Sequence, residues 1–224
     1  MMAILKWIRF HSRILTFLTL CSLPSYGFAQ PAIPGETFVT VEHLREVLQS
    51  KNLDLLQKTL NDIKGMGNQS MILPFMRDLW DLRKERHRDV PWDVAENDSI
   101  RLSFADVLLQ ARRNGSIKFD PSDMVKFAAE RLERPNFRIR ISAAFVLGLS
   151  ETDQAVEILF REASRQRADT YRSATLALIH MCNPKSDRAV GDLKGLVKDR
   201  IRQKFIYEQV EKWREFNRGH SWCR

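Results

Sequence analysis

The chain of 224 residues lacks the short motifs that identify the common catalytic and cofactor sites. It contains no Gly-x-x-x-x-Gly-Lys, no His-Glu-x-x-His, no Cys-x-x-Cys and no Gly-x-Ser-x-Gly. Its histidines beyond the first segment, at His43, His87, His180 and His220, lie in unrelated parts of the chain. We therefore predict a protein that is not an enzyme and that carries no catalytic residue, no cofactor and no metal.

No alternating apolar and polar run bounded by turn signals is present, and that is the pattern of a half-buried strand. Apolar residues instead recur at helical spacing from about residue 40 to residue 217. Helix start signals precede several of these segments, namely Thr40, Asp98 or Ser99, the run Asp120-Pro121-Ser122-Asp123, Asn136, and Thr152 or Asp153. The pattern Thr-Asp-x-Ala-Val from Thr152 is echoed from Ser186, where we predict another helix start. The charged stretch 83–89 alternates in sign, which is typical of a solvated helix end. The sequence thus predicts an all-α fold of about ten helices.

Acidic residues are absent from the first 29 positions, where Lys6, Arg9 and Arg13 precede an apolar run over 14–23. Gly27 and Ala29 then occupy the −3 and −1 positions of a cleavage site. Because an apolar run needs about 20 residues to span a bilayer, this one is too short to anchor the chain. We predict a cleavable signal peptide over 1–29, a flexible mature N terminus over 30–39, and export to a bacterial periplasm or secretion.

Cationic residues are in excess only at the end of the chain. Residues 194–224 hold nine Lys or Arg and four Asp or Glu, whereas residues 30–193 hold 24 of each. A nucleic-acid-binding protein needs cations clustered over its main surface. We therefore expect no nucleic-acid partner.

One pattern of residues, which we call the recurring frame, is found in three segments. It is an Arg or Tyr followed by small residues at +3 or +4 and by an aliphatic residue at +7. Small side chains let two helix axes approach to the short end of the usual spacing of roughly 8–10 Å. Gly148 is expected to take the left-handed conformation that ends a helix. The frame comprises Arg101, Ala105 and Leu108; Arg140, Ala143, Ala144, Leu147 and Gly148; and Tyr171, Ala174 and Leu178.

Residues 98–196 resemble short HEAT repeats, the kind of roughly 30 residues also found in phycobilin lyases. The resemblance implies a right-handed α-solenoid of antiparallel helix pairs over 40–217, and a protein-binding adaptor or scaffold of unknown partner. By analogy with such stacks, the second helices of the units would line the concave side, and the exposed parts of 122–133, 153–163 and 186–197 are the candidate partner surface. A cofactor-handling, lyase-like role is one alternative, and a membrane-surface role through the basic C-terminal helix is another.

The helix over 198–217 has one apolar stripe, and its cations mostly flank or oppose that stripe. Such a helix can cap the last repeat or lie on an anionic membrane. We favour the cap, and contact with a membrane surface is the less favoured reading. The stripe comprises Ile201, Phe205, Ile206, Val210, Trp213 and Phe216.

Only three cysteines are present, and Cys21 lies in the predicted signal peptide. The even pair that remains favours a disulfide between Cys182 and Cys223 in an exported chain, fixing the tail 218–224 to the stack. Two free thiols are an alternative. A zinc site formed with His180 and His220 is another.

Overall fold

The computed structural model describes residues 39–66, 70–165 and 170–218. Within those ranges it contains eleven α-helices and no β-strand, which confirms the prediction of an all-α fold. The predicted signal peptide, nearly all of 30–39 and most of the tail lie outside the described residues. The helices are α1 (Val41–Gln49), α2 (Leu53–Gly65), α3 (Ile72–Trp80), α4 (Trp92–Ala95), α5 (Asp98–Arg113), α6 (Ser122–Arg131), α7 (Phe137–Ser150), α8 (Asp153–Ser164), α9 (Tyr171–His180), α10 (Pro184–Leu196) and α11 (Arg200–Arg218).

Side-chain caps explain where several helices begin. Thr40 Oγ1 accepts a hydrogen bond from His43 N at 3.1 Å at the start of α1, and Thr152 does the same for α8. Each of these bonds satisfies a backbone N–H that the helix itself leaves without a partner. The cap of α5 is Asn97, which accepts from Ser99 N, rather than Asp98 or Ser99 as expected. None of the described helices has both the length and the apolarity that crossing a membrane requires.

From α5 onward, each helix packs against the next helix and against the next but one. We call α5, α7, α9 and α11 the first row, and α6, α8 and α10 the second row. Arg112 Nη1 donates to Ser150 O at 3.3 Å, which places the C-terminal ends of α5 and α7 side by side. Arg131 pairs with Asp98 at 2.9 Å, so the C-terminal end of α6 meets the start of α5. Helices within a row therefore run parallel, and the two rows run antiparallel.

The helices before α5 extend the core at one end. α1 packs on α2, and α2, α3 and α4 each pack on α5. The small and aliphatic residues of the recurring frame all lie inside the core, at 1% exposure or less. They are Ala105, Leu108, Ala143, Ala144, Leu147, Ala174 and Leu178.

The expectation for Gly148 was wrong. It lies inside α7, and the left-handed position after the helix is Glu151, with φ of 55°. A Cβ added to Gly148 would lie 3.0 Å from the Ala177 Cβ and 3.2 Å from the Ala177 Cα. Glycine is therefore needed here because α7 and α9 touch through their backbones.

Two further segments differ from the sequence expectation. The charged stretch Arg83–Asp89 was interpreted as a solvated helix end, but α3 ends at Trp80 and Leu82 has φ of 55°. Ser186 was interpreted as the start of the second helix of its unit, but α10 begins at Pro184 after an Asn183 cap. Ser186 is fully buried, and its Oγ donates to Asn183 O at 2.6 Å.

Helix α11 packs on α9 and α10 through part of its apolar stripe. Ile206 and Val210 are buried, and Phe205 and Trp213 are partly buried against the core. Ile201 is 72% exposed and Phe216 is 37% exposed, so the stripe is covered along its middle but at neither end.

Trp213→Ala should lower the free energy of unfolding by about 2 kcal/mol, since the indole is only partly buried. The ring lies between His180 and Phe216, with centroid distances of 4.5 Å and 5.6 Å. Urea unfolding followed by circular dichroism measures the change. Ile201→Ala is the exposed control and should change stability by less than about 0.5 kcal/mol. Equal effects of the two substitutions would contradict the packing of α11.

Candidate interaction surface

Two of the four histidines considered in the sequence analysis, His87 and His180, pack against or bind other side chains of the fold. His87 Nδ1 lies 2.9 Å from Arg45 Nη2, and its Nε2 lies 3.0 Å from Asp78 Oδ2. An arginine can only donate, so Nδ1 accepts and Nε2–H donates to the carboxylate. Arg45 also pairs with Asp89 at 2.6 Å. His87 thus fastens the segment after α3 to α1 through Arg45 and to α3 itself through Asp78.

His180 is the second of these histidines, at the end of α9. Burial, together with the nearby positive charge of Arg113, lowers the pKa of His180 from 6.5 to about 4. The imidazole is therefore neutral at physiological pH, and its ring packs on Trp213. His43 is exposed on α1, and His220 lies outside the described residues.

Stability should fall as the pH is lowered through the range in which His180 is neutral in the folded chain and charged in the unfolded chain. Because its folded pKa is depressed, the unfolded chain binds the extra proton, and the stabilisation present above pH 6.5 is lost toward pH 4. Between about pH 7.5 and pH 5 this group should cost about 2 kcal/mol. Urea titrations of the wild type and His180→Gln at both pH values test it, and identical pH dependence would contradict the assignment.

Cys182 lies half-buried just after α9, and its Sγ accepts a hydrogen bond from Arg113 Nη2 at 2.8 Å. Cys223 lies outside the described residues, so the predicted pairing stays a prediction. Among the described residues, no group of three or more His, Cys, Asp or Glu side chains is arranged to hold a metal ion.

Non-reducing peptide mass spectrometry of the chain without residues 1–29, taken from an exported fraction, should recover a peptide joining Cys182 to Cys223. Removal of the predicted signal peptide takes Cys21 away and leaves two cysteines, and the oxidising compartment to which export is predicted favours a bond between them. Alkylation of both thiols without reductant would contradict the pairing. Protection that depends on added zinc would point to the metal alternative instead.

Strong charge asymmetry separates the two edges of the rows. One edge joins the N-terminal turns of the first row to the C-terminal ends of the second row. We call it the basic edge and define it as residues 98–101, 130–140, 161–165, 170–172 and 194–202. It holds twelve Lys or Arg against five Asp or Glu. The opposite edge, residues 112–123, 150–153 and 180–188, holds five of each.

First-turn residues sharpen this asymmetry. The second-row helices carry an acidic residue in the first turn, as the positive N-terminal end of a helix favours, namely Asp123, Asp153 and Asp187. The helices α7, α9 and α11 have no acidic residue in the first turn. Their first turns carry arginines instead, although a positive side chain at a helix N terminus is disfavoured by the helix dipole. These arginines are Arg138, Arg140, Arg172, Arg200 and Arg202.

Buried aromatic rings hold two other guanidinium groups of the basic edge in place. Arg101 Cζ lies 4.6 Å from the Trp80 ring centre and 4.4 Å from that of Phe127. Arg131 Cζ lies 3.6 Å from the centre of the same Phe127 ring. Burial lowers the pKa of Arg101, and the charge of Arg131 acts in the same direction. The edge is therefore built of positioned arginines at α5 and α6.

Most carboxylates of the basic edge form ion pairs with arginines of the same edge. Asp98 pairs with Arg131 and Arg134 at 2.9 Å and 3.1 Å. Glu162, which is 2% exposed, accepts from Thr170 Oγ1 at 2.7 Å and pairs with Arg165. By contrast, several exposed cations make no ion pair with any carboxylate in the described part of the chain. They are Arg138, Arg161, Arg172, Lys198 and Arg200.

The exposed face of the second-row helices is the candidate partner surface that the resemblance to HEAT repeats implies. Its exposed side chains alternate in sign and form no cluster of one charge. On α6 they are Asp123, Lys126 and Glu130, on α8 Gln154, Glu157 and Arg161, and on α10 Asp187, Arg188 and Asp192. The cations cluster instead on the basic edge, and this clustering was not predicted from the sequence.

Comparison with known proteins gives one partial likeness. No family model matches the chain, and no solved structure matches it. Over 89 residues the chain is 32% identical to a phosphoglycerate mutase of Schizosaccharomyces pombe. That stretch covers 40% of this chain and 37% of the mutase, so the chain spans well under half of that curated relative.

Proposed function

We propose that the chain is an exported, HEAT-like, right-handed α-solenoid that binds a protein partner and performs no catalysis. The observation that carries this proposal is the packing of each helix from α5 onward against the next two. Units that contact only their neighbours form extended surfaces, and such surfaces serve recognition.

The environments of the candidate chemical groups support a non-catalytic role. Both ring nitrogens of His87 are engaged by Arg45 and Asp78, and His180 is a partly buried, neutral ring that packs on Trp213. The activity in the name of the mutase is not carried over to this chain, because the likeness covers 37% of that enzyme.

Affinity capture from the exported fraction tests the proposal. Mature wild-type protein should recover one protein species in a constant ratio, and Gly148→Val should recover less because it separates α7 from α9. Gly191→Ala is the matched control and should recover as much as the wild type, since a Cβ there meets no atom within 4 Å. A tightly bound chromophore in place of a protein would contradict the proposal and favour the lyase-like alternative.

A further inference from the structure

We propose that the basic edge is the docking surface for an extended, acidic segment of the protein partner. This inference rests on the proposed function and adds the chemistry of what is bound. It begins from the contrast between the two edges, twelve cations against five anions on one and five against five on the other. A surface with that contrast attracts and orients a partner of negative charge.

The cations that face outward are suited to carboxylates. Arg138, Arg172 and Arg200 are exposed and make no ion pair with a carboxylate of the described chain. Each lies in the first turn of its helix, so the positive helix end adds to the side-chain charge. A guanidinium presents two parallel N–H donors, which match the two oxygens of an Asp or Glu side chain.

The length of the edge sets the length of the segment. Four parallel helices of the first row contribute their N-terminal turns to it. With neighbouring axes roughly 8–10 Å apart, three steps span about 24–30 Å. An extended chain advances about 3.3 Å per residue, so the edge accommodates about eight residues.

Protein carboxylates fit the edge better than nucleic acid does. The rings beneath Arg101, Arg131 and Arg202, which are Trp80, Phe127 and Tyr171, are 8% exposed or less and offer no open face on which bases could stack. Phe137, beside Arg138, is the one exposed ring within the basic edge, whereas single-strand binders stack successive bases on several rings.

A peptide also fits better than a lipid surface. Glu130 and Glu133, each 56% exposed by side chain, lie among the arginines and would face the lipid phosphates of an anionic bilayer. A peptide can place uncharged residues opposite them. Phe137, 52% exposed beside Arg138, offers an apolar contact for such a residue.

Fluorescence anisotropy with labelled decaglutamate as the probe tests the proposal on the mature chain. The edge variant reverses three charges, Arg138→Glu, Arg172→Glu and Arg200→Glu. The control variant makes the same change of charge at exposed cations outside the edge, Lys58→Glu, Lys118→Glu and Arg188→Glu. We expect the edge variant to weaken binding about tenfold or more and the control variant less than about threefold, at about 0.1 M salt.

Each other outcome overturns the proposal. Equal loss in the two variants would show attraction by net charge alone. Tighter binding to oligo-dT, or to phosphatidylglycerol vesicles, with loss in the edge variant would assign the edge to nucleic acid or to a membrane. An edge variant that still recovers the protein partner in full would leave the proposed function standing and refute the basic edge as its site.

A melting curve shows that the edge variant is folded. It should melt no lower than the wild type, because acids replace cations at helix N termini.

Discussion

Gly148→Val should lower the free energy of unfolding by about 3 kcal/mol, measured by urea unfolding. The added Cβ would lie 3.0 Å from the Ala177 Cβ, 3.2 Å from its Cα and 3.3 Å from its carbonyl oxygen. Two of those atoms belong to the backbone of α9, so a rotamer change cannot relieve the contact. The two helices must separate, and the buried residues on either side lose packing.

Two glycine-to-alanine substitutions separate the effect of the contact between α7 and α9 from the effect of helix propensity. Gly148→Ala and Gly191→Ala should each gain up to about 1 kcal/mol from the preference of alanine for helix. At Gly191, in α10, the added Cβ meets nothing within 4 Å, so the gain should be observed. At Gly148 the clash should exceed the gain, and the sign should reverse. The same sign at both positions would contradict the close approach of α7 and α9.

Phe104→Ala should cost about 3–5 kcal/mol, because the ring is fully buried and its removal leaves a cavity. Phe104 lies at the frame position where α7 and α9 carry Ala143 and Ala174. The larger ring fits α5 because α2 and α3 pack against that helix as well as α7.

Phe137→Ala is the control for Phe104→Ala, because it removes the same type of side chain from an exposed position. Phe137 is 52% exposed, and its loss should cost less than about 1 kcal/mol. Comparable losses at Phe104 and Phe137, compared by chemical denaturation, would contradict the position of α5 at the centre of the core.

The helices could be predicted from sequence where their signals are local. Thr40 and Thr152 cap helices at the predicted positions because a cap depends on residues within one turn. The end of α3 was missed because it depends on Arg45, which binds Asp89 and His87 from far along the chain. Gly148 was misassigned for the same reason, since Ala177 lies on a different helix.

The basic edge was not predictable from the balance of charge along the chain. Residues 30–193 hold equal numbers of cations and anions, and only the packing of the rows brings twelve cations and five anions together on one edge. A local signal was nevertheless present. Arg140, Tyr171 and Arg202 are separated by 31 residues each, and the arginines beside this frame occupy first turns where acids are favoured.

The most direct measurement is the amount of protein partner recovered from the exported fraction by the edge variant and by the control variant. A stack that binds its partner through the basic edge predicts that reversing Arg138, Arg172 and Arg200 lowers recovery about tenfold or more. The same measurement with Lys58, Lys118 and Arg188 reversed should match the wild type. Equal recovery by the two variants would contradict the account.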